Sequence, residues 1–433
     1  MKFAKRSLAF LFLSALLLAC SAFPQSPAPV PTRTVIHAGN VLDVRTGKLT
    51  PNQTIVVENG KIVSIGARGG DSNGATVIDL PDKTVLPGLI DAHTHLTMNP
   101  SFGYSTLGIS VPREALIGAK NAKTTLEAGI TTVRNVGASG YSDVALRDAI
   151  NAGDVPGPRM LVSGPPLGIT GGHCDDDLLP YEFHATADGV ADGVENVQHK
   201  TREVIKYGAD VIKICATGGV LSKGDDPNPA QFTLEEMQAI VADAHRLGRK
   251  VAAHAHGAQG VIWASNAGVD SVEHGHLMND EAIATLKKNG TYLVPTLYLI
   301  DWQRENAAKA NLPDFLQKKM LMVSQAGKGN AKKAFQAGVK IGMGTDAAVY
   351  PHGLNAHELN VYVVDLGMTP LQAIQTATIN DADLLGLTDQ IGTLEPGKYA
   401  DIIAVDGNPL QDVTILQNVK FVMREGTVYK NQK

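Results

Sequence analysis

Three pairs of histidines stand two residues apart: His93/His95, His254/His256 and His274/His276. Thirteen histidines scattered at random through 433 residues would give about 0.4 such pairs, so the excess needs a cause. Each pair closes a short apolar run. A strand has a side-chain period of two, so both imidazoles of a pair point to one face. Two neutral imidazoles on one face can bite one zinc-type ion. Lys213 lies inside the apolar run ADVIKICATGG, where a charged ammonium is costly to bury. Two readings are open for it. One is a lysine at the core edge paired with a carboxylate. The other is a neutral amine that has reacted with carbon dioxide, giving an anionic, bidentate carbamate able to bridge two cations; metal binding would offset the deprotonation. Asp346 closes IGMGTDA and could be a metal ligand, a general base or a helix cap. His173, in GITGGHCDD, follows Gly171 and Gly172 and is a candidate to stabilise a tetrahedral oxyanion, a plain loop histidine being the alternative.

These residues need elements to position them. The runs TVLPGLIDAHTH, GITTVRNVG, RMLVSG, ADVIKICATG, KVAAHAH, VDSVEHG, TYLVPTL and VKIGMGTDA read as strands. Amphipathic stretches such as TLEEMQAIVADAHRLG and DEAIATLKKNG lie between them, and Gly129, Gly208, Gly248, Gly268, Gly290 and Gly338 stand as helix stops before the next strand. Eight strand–helix units over about 300 residues fit an α/β (β/α)8 TIM barrel. A doubly wound open sheet would give similar local patterns, but the polar residues sit at strand C-terminal ends, where barrels carry their chemistry. Short strands with hairpin turns fill Thr34 to Gly66 and return after residue 390, which predicts one small β-sandwich built from both termini; two separate β-flaps are the alternative. The expected organisation is a signal peptide over 1–20, a linker over 21–33, sandwich parts over 34–87 and 391–433, and a barrel over 88–390.

The net charge of -5 shows no basic surplus for nucleic acid, so the expected partner is a small molecule. Lys2, Lys5 and Arg6 precede an apolar run from Leu8 to Leu18, too short to span a bilayer but suited to a signal peptide. It ends in Leu17-Leu18-Ala19-Cys20, similar to a bacterial lipobox, which predicts an exported, periplasmic or outer-membrane-anchored lipoprotein; unlipidated cleavage near Ala22 is the alternative. Ser21 to Pro31 reads as a tether. Three cysteines exclude a disulfide scaffold; whether Cys174 and Cys215 pair depends on their distance in the fold, and two buried thiols are the favoured reading.

The segments VLPGLIDAHTHL, VIKICATGG, VAAHAHG, SVEHGH and GMGTDAAVYPHGLNAHEL resemble the amidohydrolase superfamily. The resemblance covers about residues 34 to 430. It is nearest to the imidazolonepropionase-related branch, which includes Xaa-Pro and Xaa-Arg/Lys dipeptidases and ochratoxin-cleaving amidases. It implies two divalent metal ions, zinc being expected, with His93 and His95 on one, His254 and His274 on the other, N6-carboxylated Lys213 bridging, and Asp346 as ligand and base. It also implies a homo-oligomer and hydrolysis of a dipeptide or N-acyl amino acid, ochratoxin-like amides included. Asp346 would take a proton from metal-activated water and pass it to the leaving amine. VRNVG stands where the family has VRDVG, which leaves Asn135 without an assigned role. His256 and His276 are candidates for supporting or contacting substrate, a structural role being equally open. Tyr298 and Arg134 could grip a substrate carboxylate, plain packing or a helix-capping ion pair being the favoured alternative for both, and His352 and Glu358 could orient Asp346. A cyclic amidohydrolase or mononuclear deaminase is the competing enzyme class, although HAHGAQG lacks the H-x-x-E expected of the latter. A non-catalytic exported lipoprotein is the competing class outside enzymes, disfavoured because no ligand position is lost.

Overall fold

The computed structural model describes residues 33–432 except 68, 70, 71, 101, 102 and 311–313, with 307–310 described by backbone alone. The expected signal peptide, Cys20 and the linker up to residue 32 lie outside the described residues.

Both ends of the chain share one seven-stranded sheet. Its strands are β1 (Arg33–Asp43), β2 (Lys48–Glu58), β3 (Lys61–Ala67), β4 (Thr76–Pro87), β12 (Ile402–Asp406), β13 (Phe421–Arg424) and β14 (Thr427–Asn431), in the order β14-β13-β12-β4-β1-β2-β3. The Asn59-Gly60 turn between β2 and β3 has φ of 50° and 78°, the left-handed pair that a two-residue hairpin requires. Ile36, Ile55, Ile62, Val85, Ile402 and Phe421 fill one apolar cluster on this sheet. The β3 edge meets the segment entering β12: Ile62 N–H donates to Lys398 O at 2.9 Å.

The middle of the chain is parallel. β5 (Leu89–Thr94), β6 (Ile130–Asn135) and β7 (Arg159–Val162) form a three-stranded sheet, and β8 (Val211–Cys215), β9 (Lys250–Gly257), β10 (Ser271–Leu277) and β11 (Tyr292–Val294) form a four-stranded one. These strands are buried almost throughout, as parallel strands covered by helices must be. A parallel bridge from Leu167 to Ile214 links the two sheets on one side. On the other, the segment read as the eighth strand runs between β11 and β5 through bridges Leu293–Ile341 and Thr94–Ala347. It is extended but not a regular strand. Asp346 and Ala348 have φ of 57° and 125°, which breaks the pleat, and a Cβ on Gly344 would lie 2.7 Å from the His93 Cβ.

The connecting helices form where the sequence supplies a start, an apolar face and a stop. Thr233 and Glu236 make a reciprocal capping box before Leu234–Arg246, whose Met237, Ile240, Val241 and Ala244 face inward at three- and four-residue spacing. Asn279 caps Asp280–Asn289 by accepting from Ala282 N–H at 2.9 Å, and Gly290, at φ 71°, ends it. No described helix is long and apolar enough to cross a membrane.

The expectation of two free buried thiols is corrected: Cys174 and Cys215 form a disulfide with Cα atoms 6.0 Å apart. They are 41 residues apart in sequence. The segment after β7 runs beside β8, with Leu167 N–H donating to Lys213 O and Cys215 N–H to Leu167 O, and the turn that follows returns Cys174 to the strand. Sequence spacing carries no trace of that return.

Candidate metal centre

His93, His95, Lys213, His254, His274, Asp346 and His173 all border one cavity of about 260 Å³, at the C-terminal ends of the parallel strands. His256 and His276 border it too. One nitrogen each of His93 and His95 and one oxygen of Asp346 lie within 4.8 Å of one another. His93 Nε2 and His95 Nε2 stand 3.4 and 3.3 Å from Asp346 Oδ1.

The protons on these rings are fixed from behind. His93 Nδ1–H donates to Glu273 Oε2 at 2.7 Å, and His95 Nδ1–H to Gly137 O at 3.3 Å. In the neutral rings both Nε2 atoms are then bare lone pairs facing a carboxylate oxygen, with no proton between them. A shared cation would relieve that arrangement. The other half of the cluster is built alike: His274 Nδ1 bonds Thr296 Oγ1 at 2.7 Å, and His254 Nε2–H donates to Gly218 O at 3.2 Å, leaving its Nδ1 without a proton in the neutral ring. Such outer partners hold metal-binding imidazoles in one tautomer. Ring centroids of His93 and His274 are 4.9 Å apart, and those of His254 and His274 4.7 Å. Burial, reinforced by neighbouring histidines, holds His254 and His274 well below the usual imidazole range, so both rings are neutral. Burial also lowers the Lys213 ammonium to about 8, against the pull of Glu273 and Asp346. The donor set therefore fits divalent cations bound by nitrogen and oxygen.

Backbone irregularity is part of the construction. His274 has φ 73° and Gly275 φ 65°, where β10 slips its register against β9. Asp346 is also left-handed. Non-glycine residues in this region cost roughly 1–2 kcal/mol each, and here the kinks turn both side chains into the cavity.

Three supports were not anticipated. Glu273, fully buried, joins His93 to Arg134, whose Nη2 donates to its Oε1 at 2.8 Å, and accepts from Ser271 Oγ at 2.5 Å. Burial alone would raise the Glu273 carboxyl; the Arg134 charge and the His93 bond outweigh it and hold it at about 2. Asp91 accepts from the backbone N–H of His93 (3.0 Å) and of Thr345 (3.2 Å), from Thr345 Oγ1 (2.6 Å) and from Asn355 Nδ2 (2.7 Å), so one carboxylate ties β5 to the Asp346 segment. The signal was present: an acid inside an apolar strand, two residues before His93 and directly before His274. Ser222 is the third, holding His173 Nδ1 at 2.8 Å.

Several expectations are corrected. Arg134 is 1% exposed, bonds Glu273, Ser271 and Ala92 O, and is absent from the described lining. Tyr298 is also absent from the described lining and packs on Tyr350 and His357. Glu358 does not orient Asp346: it accepts from Leu297 and Tyr298 N–H at 2.6 and 2.7 Å, and burial raises its carboxyl to about 8. His352 donates to Met98 O instead. Asn135 is structural, accepting from Leu96 N–H at 2.6 Å. His256 and His276 each bury an Nδ1 with no partner among the described residues, and His276 Nε2–H donates to Pro295 O at 2.8 Å.

A sequence model of the amidohydrolase family matches residues 84–429. The chain is 34% identical to the ochratoxinase of Aspergillus niger over 424 residues, covering 90% of this chain and 84% of that protein. It resembles the crystal structure of a Xaa-Pro dipeptidase with bound methionine in its active site (TM-score 0.85, 39% identity, 92% of this chain and 100% of that one). A prolidase complexed with N-methylphosphonate-L-proline is similar at TM-score 0.85 and 33% identity, covering 93% of this chain and 100% of the other.

Proposed function

The chain belongs to the amidohydrolase family, hydrolases acting on amide bonds with a TIM-barrel-like α/β fold, and from that premise we propose a binuclear enzyme that releases an amino acid from a dipeptide or N-acyl amino acid. The observation that carries this reading is the convergence of His93, His95, Lys213, His254, His274 and Asp346 on one cavity. His93 and His95 would hold one cation, His254 and His274 the other, with carboxylated Lys213 shared between them; zinc suits the donors. Bound cations would supply Lewis acidity and lower the pKa of a water. Asp346, its Oδ1 beside two imidazoles, takes the water proton and returns it to the leaving amine, without which an amide nitrogen leaves poorly. Glu273 keeps the His93 tautomer fixed throughout.

The cavity walls suggest the substrate. Met98, Val136, Pro166, Leu221, Leu299 and Val323 line it, and Lys213 is the only Lys or Arg among the described lining residues. An apolar group next to the cleaved bond fits these walls. The neighbours that bind proline- or methionine-containing ligands support an apolar residue. We take the parallel strands and the bridged eighth segment as a closed (β/α)8 ring over 88–390, and the terminal sheet as a folded-over sandwich of 34–87 and 391–433. Export with a lipid on Cys20 is part of the proposal, and the disulfide suits an oxidising compartment; the mass of the mature N-terminus tests it. Assembly into a homo-oligomer is checked by light scattering.

The functional test is a library of dipeptides and N-acyl amino acids offered to zinc-loaded protein. Release of free amino acid, fastest from apolar members, is expected. No release from any member rejects the substrate class, and about one ion per chain favours a mononuclear deaminase.

A further inference from the structure

The hydrogen bonds behind His173 determine which edge of that ring carries its proton. Asp225 is an ionised carboxylate gripped by Lys319, whose Nζ donates to Asp225 Oδ1 at 2.6 Å and to the carbonyls of Gly219 and Ser222 at 3.0 Å each. A carboxylate can only accept. Ser222 Oγ, 2.6 Å from Asp225 Oδ1, therefore gives its single proton there, the alternative acceptor Gly219 O being 3.4 Å away. The Ser222 oxygen is left as an acceptor, and His173 Nδ1, 2.8 Å away, must donate to it. A neutral imidazole has one N–H. The other nitrogen, Nε2, is bare.

We propose that Lys319, Asp225 and Ser222 are positioning residues that lock His173 in its Nδ1–H tautomer, so that Nε2 accepts a hydrogen bond from an N–H of the substrate. This reverses the role expected from sequence, since an oxyanion needs a donor and this ring has none to give on its cavity edge. The ring is held by more than the chain of bonds. Its backbone N–H donates to Gln231 Oε1 at 3.0 Å, and it lies flush on Gly219, where a Cβ would stand 2.2 Å from Cε1. The adjoining Cys174–Cys215 disulfide ties its loop to β8. Its centroid is 4.3 Å from that of His254, and the ring borders the cavity. The amide-hydrolase reading supplies the donor, the N-terminal amine of a bound dipeptide or the amide N–H of an N-acyl amino acid; the tautomer itself stands without that reading.

The test uses full-length zinc-loaded protein labelled with 15N-histidine, the His173 signals being assigned by their loss in H173N. Expected are a protonated Nδ1 and an unprotonated Nε2. An Nε2–H tautomer overturns the proposal whatever the enzyme cleaves, whereas a correct tautomer with no amidase activity would fail the functional reading alone. Kinetics give the second readout. S222A and D225N are expected to lower kcat/KM roughly 10- to 100-fold at unchanged metal load, and S222T, which keeps the hydroxyl, to recover most of the loss. S222A equal to the parent, or S222T as impaired as S222A, counts against the relay.

Discussion

Replacing Glu273 with Gln removes the anion that joins His93 to the buried Arg134. Arg134 is 1% exposed and Glu273 0%. E273Q therefore strands a guanidinium in the core, and breaking a buried pair from one side costs about 3–5 kcal/mol. The pH dependence follows from the folded carboxyl, held at about 2 against an ordinary 4.5. A depressed pKa gives stability that is fully present above about 4.5 and fades as pH falls toward 2, so the parent and E273Q should differ fully at pH 7 and converge in acid. The same change lets His93 turn its tautomer, which should weaken metal binding roughly 10- to 100-fold. Urea unfolding of the metal-free proteins measures the first effect, and competition with a chromogenic chelator the second. R134M/E273Q, with neither charge, should be less destabilised than the sum of its single variants. An E273Q protein within about 1 kcal/mol of the parent and with the same zinc affinity would refute the reasoning.

Other outcomes follow from the same geometry. D346N should keep its fold but lose at least about 100-fold in kcat, read by amino-acid release. K213A should lose bound metal and activity together; an unchanged metal load by elemental analysis would remove the carbamate from the scheme. Reducing the Cys174–Cys215 bond with a phosphine, or substituting both residues by Ala, should free the His173 loop and lower kcat/KM several-fold with zinc content unchanged; equal kinetics would show that the disulfide is not needed for positioning.

The chemistry was legible where regular geometry governs it. Period two turned His93, in β5, and His95, just past its end, toward one cavity, and Gly290 marked a helix end by its backbone freedom alone. What was hidden depends on departures from that geometry. The kink at His274 lets Glu273 and His274 both serve the site, although strict alternation sends neighbours to opposite faces. Arg134 and Tyr298 are of types that bind carboxylates, but the internal anion on Glu273 claims the first, and the second packs against Tyr350. The eighth strand kept its sequence pattern but gave up its pleat so that Asp346 could turn inward. The disulfide depended on a loop path that no local pattern encodes.

The central claim is that four imidazoles, one modified lysine and one carboxylate hold two cations in this cavity. A crystal of the zinc-reconstituted protein, with anomalous diffraction recorded at the zinc edge, tests it directly. The account predicts two peaks, one beside His93 and His95 and one beside His254 and His274, with density for a carboxyl group on Lys213 Nζ between them. A single peak with an unmodified lysine, or zinc bound elsewhere, would contradict it.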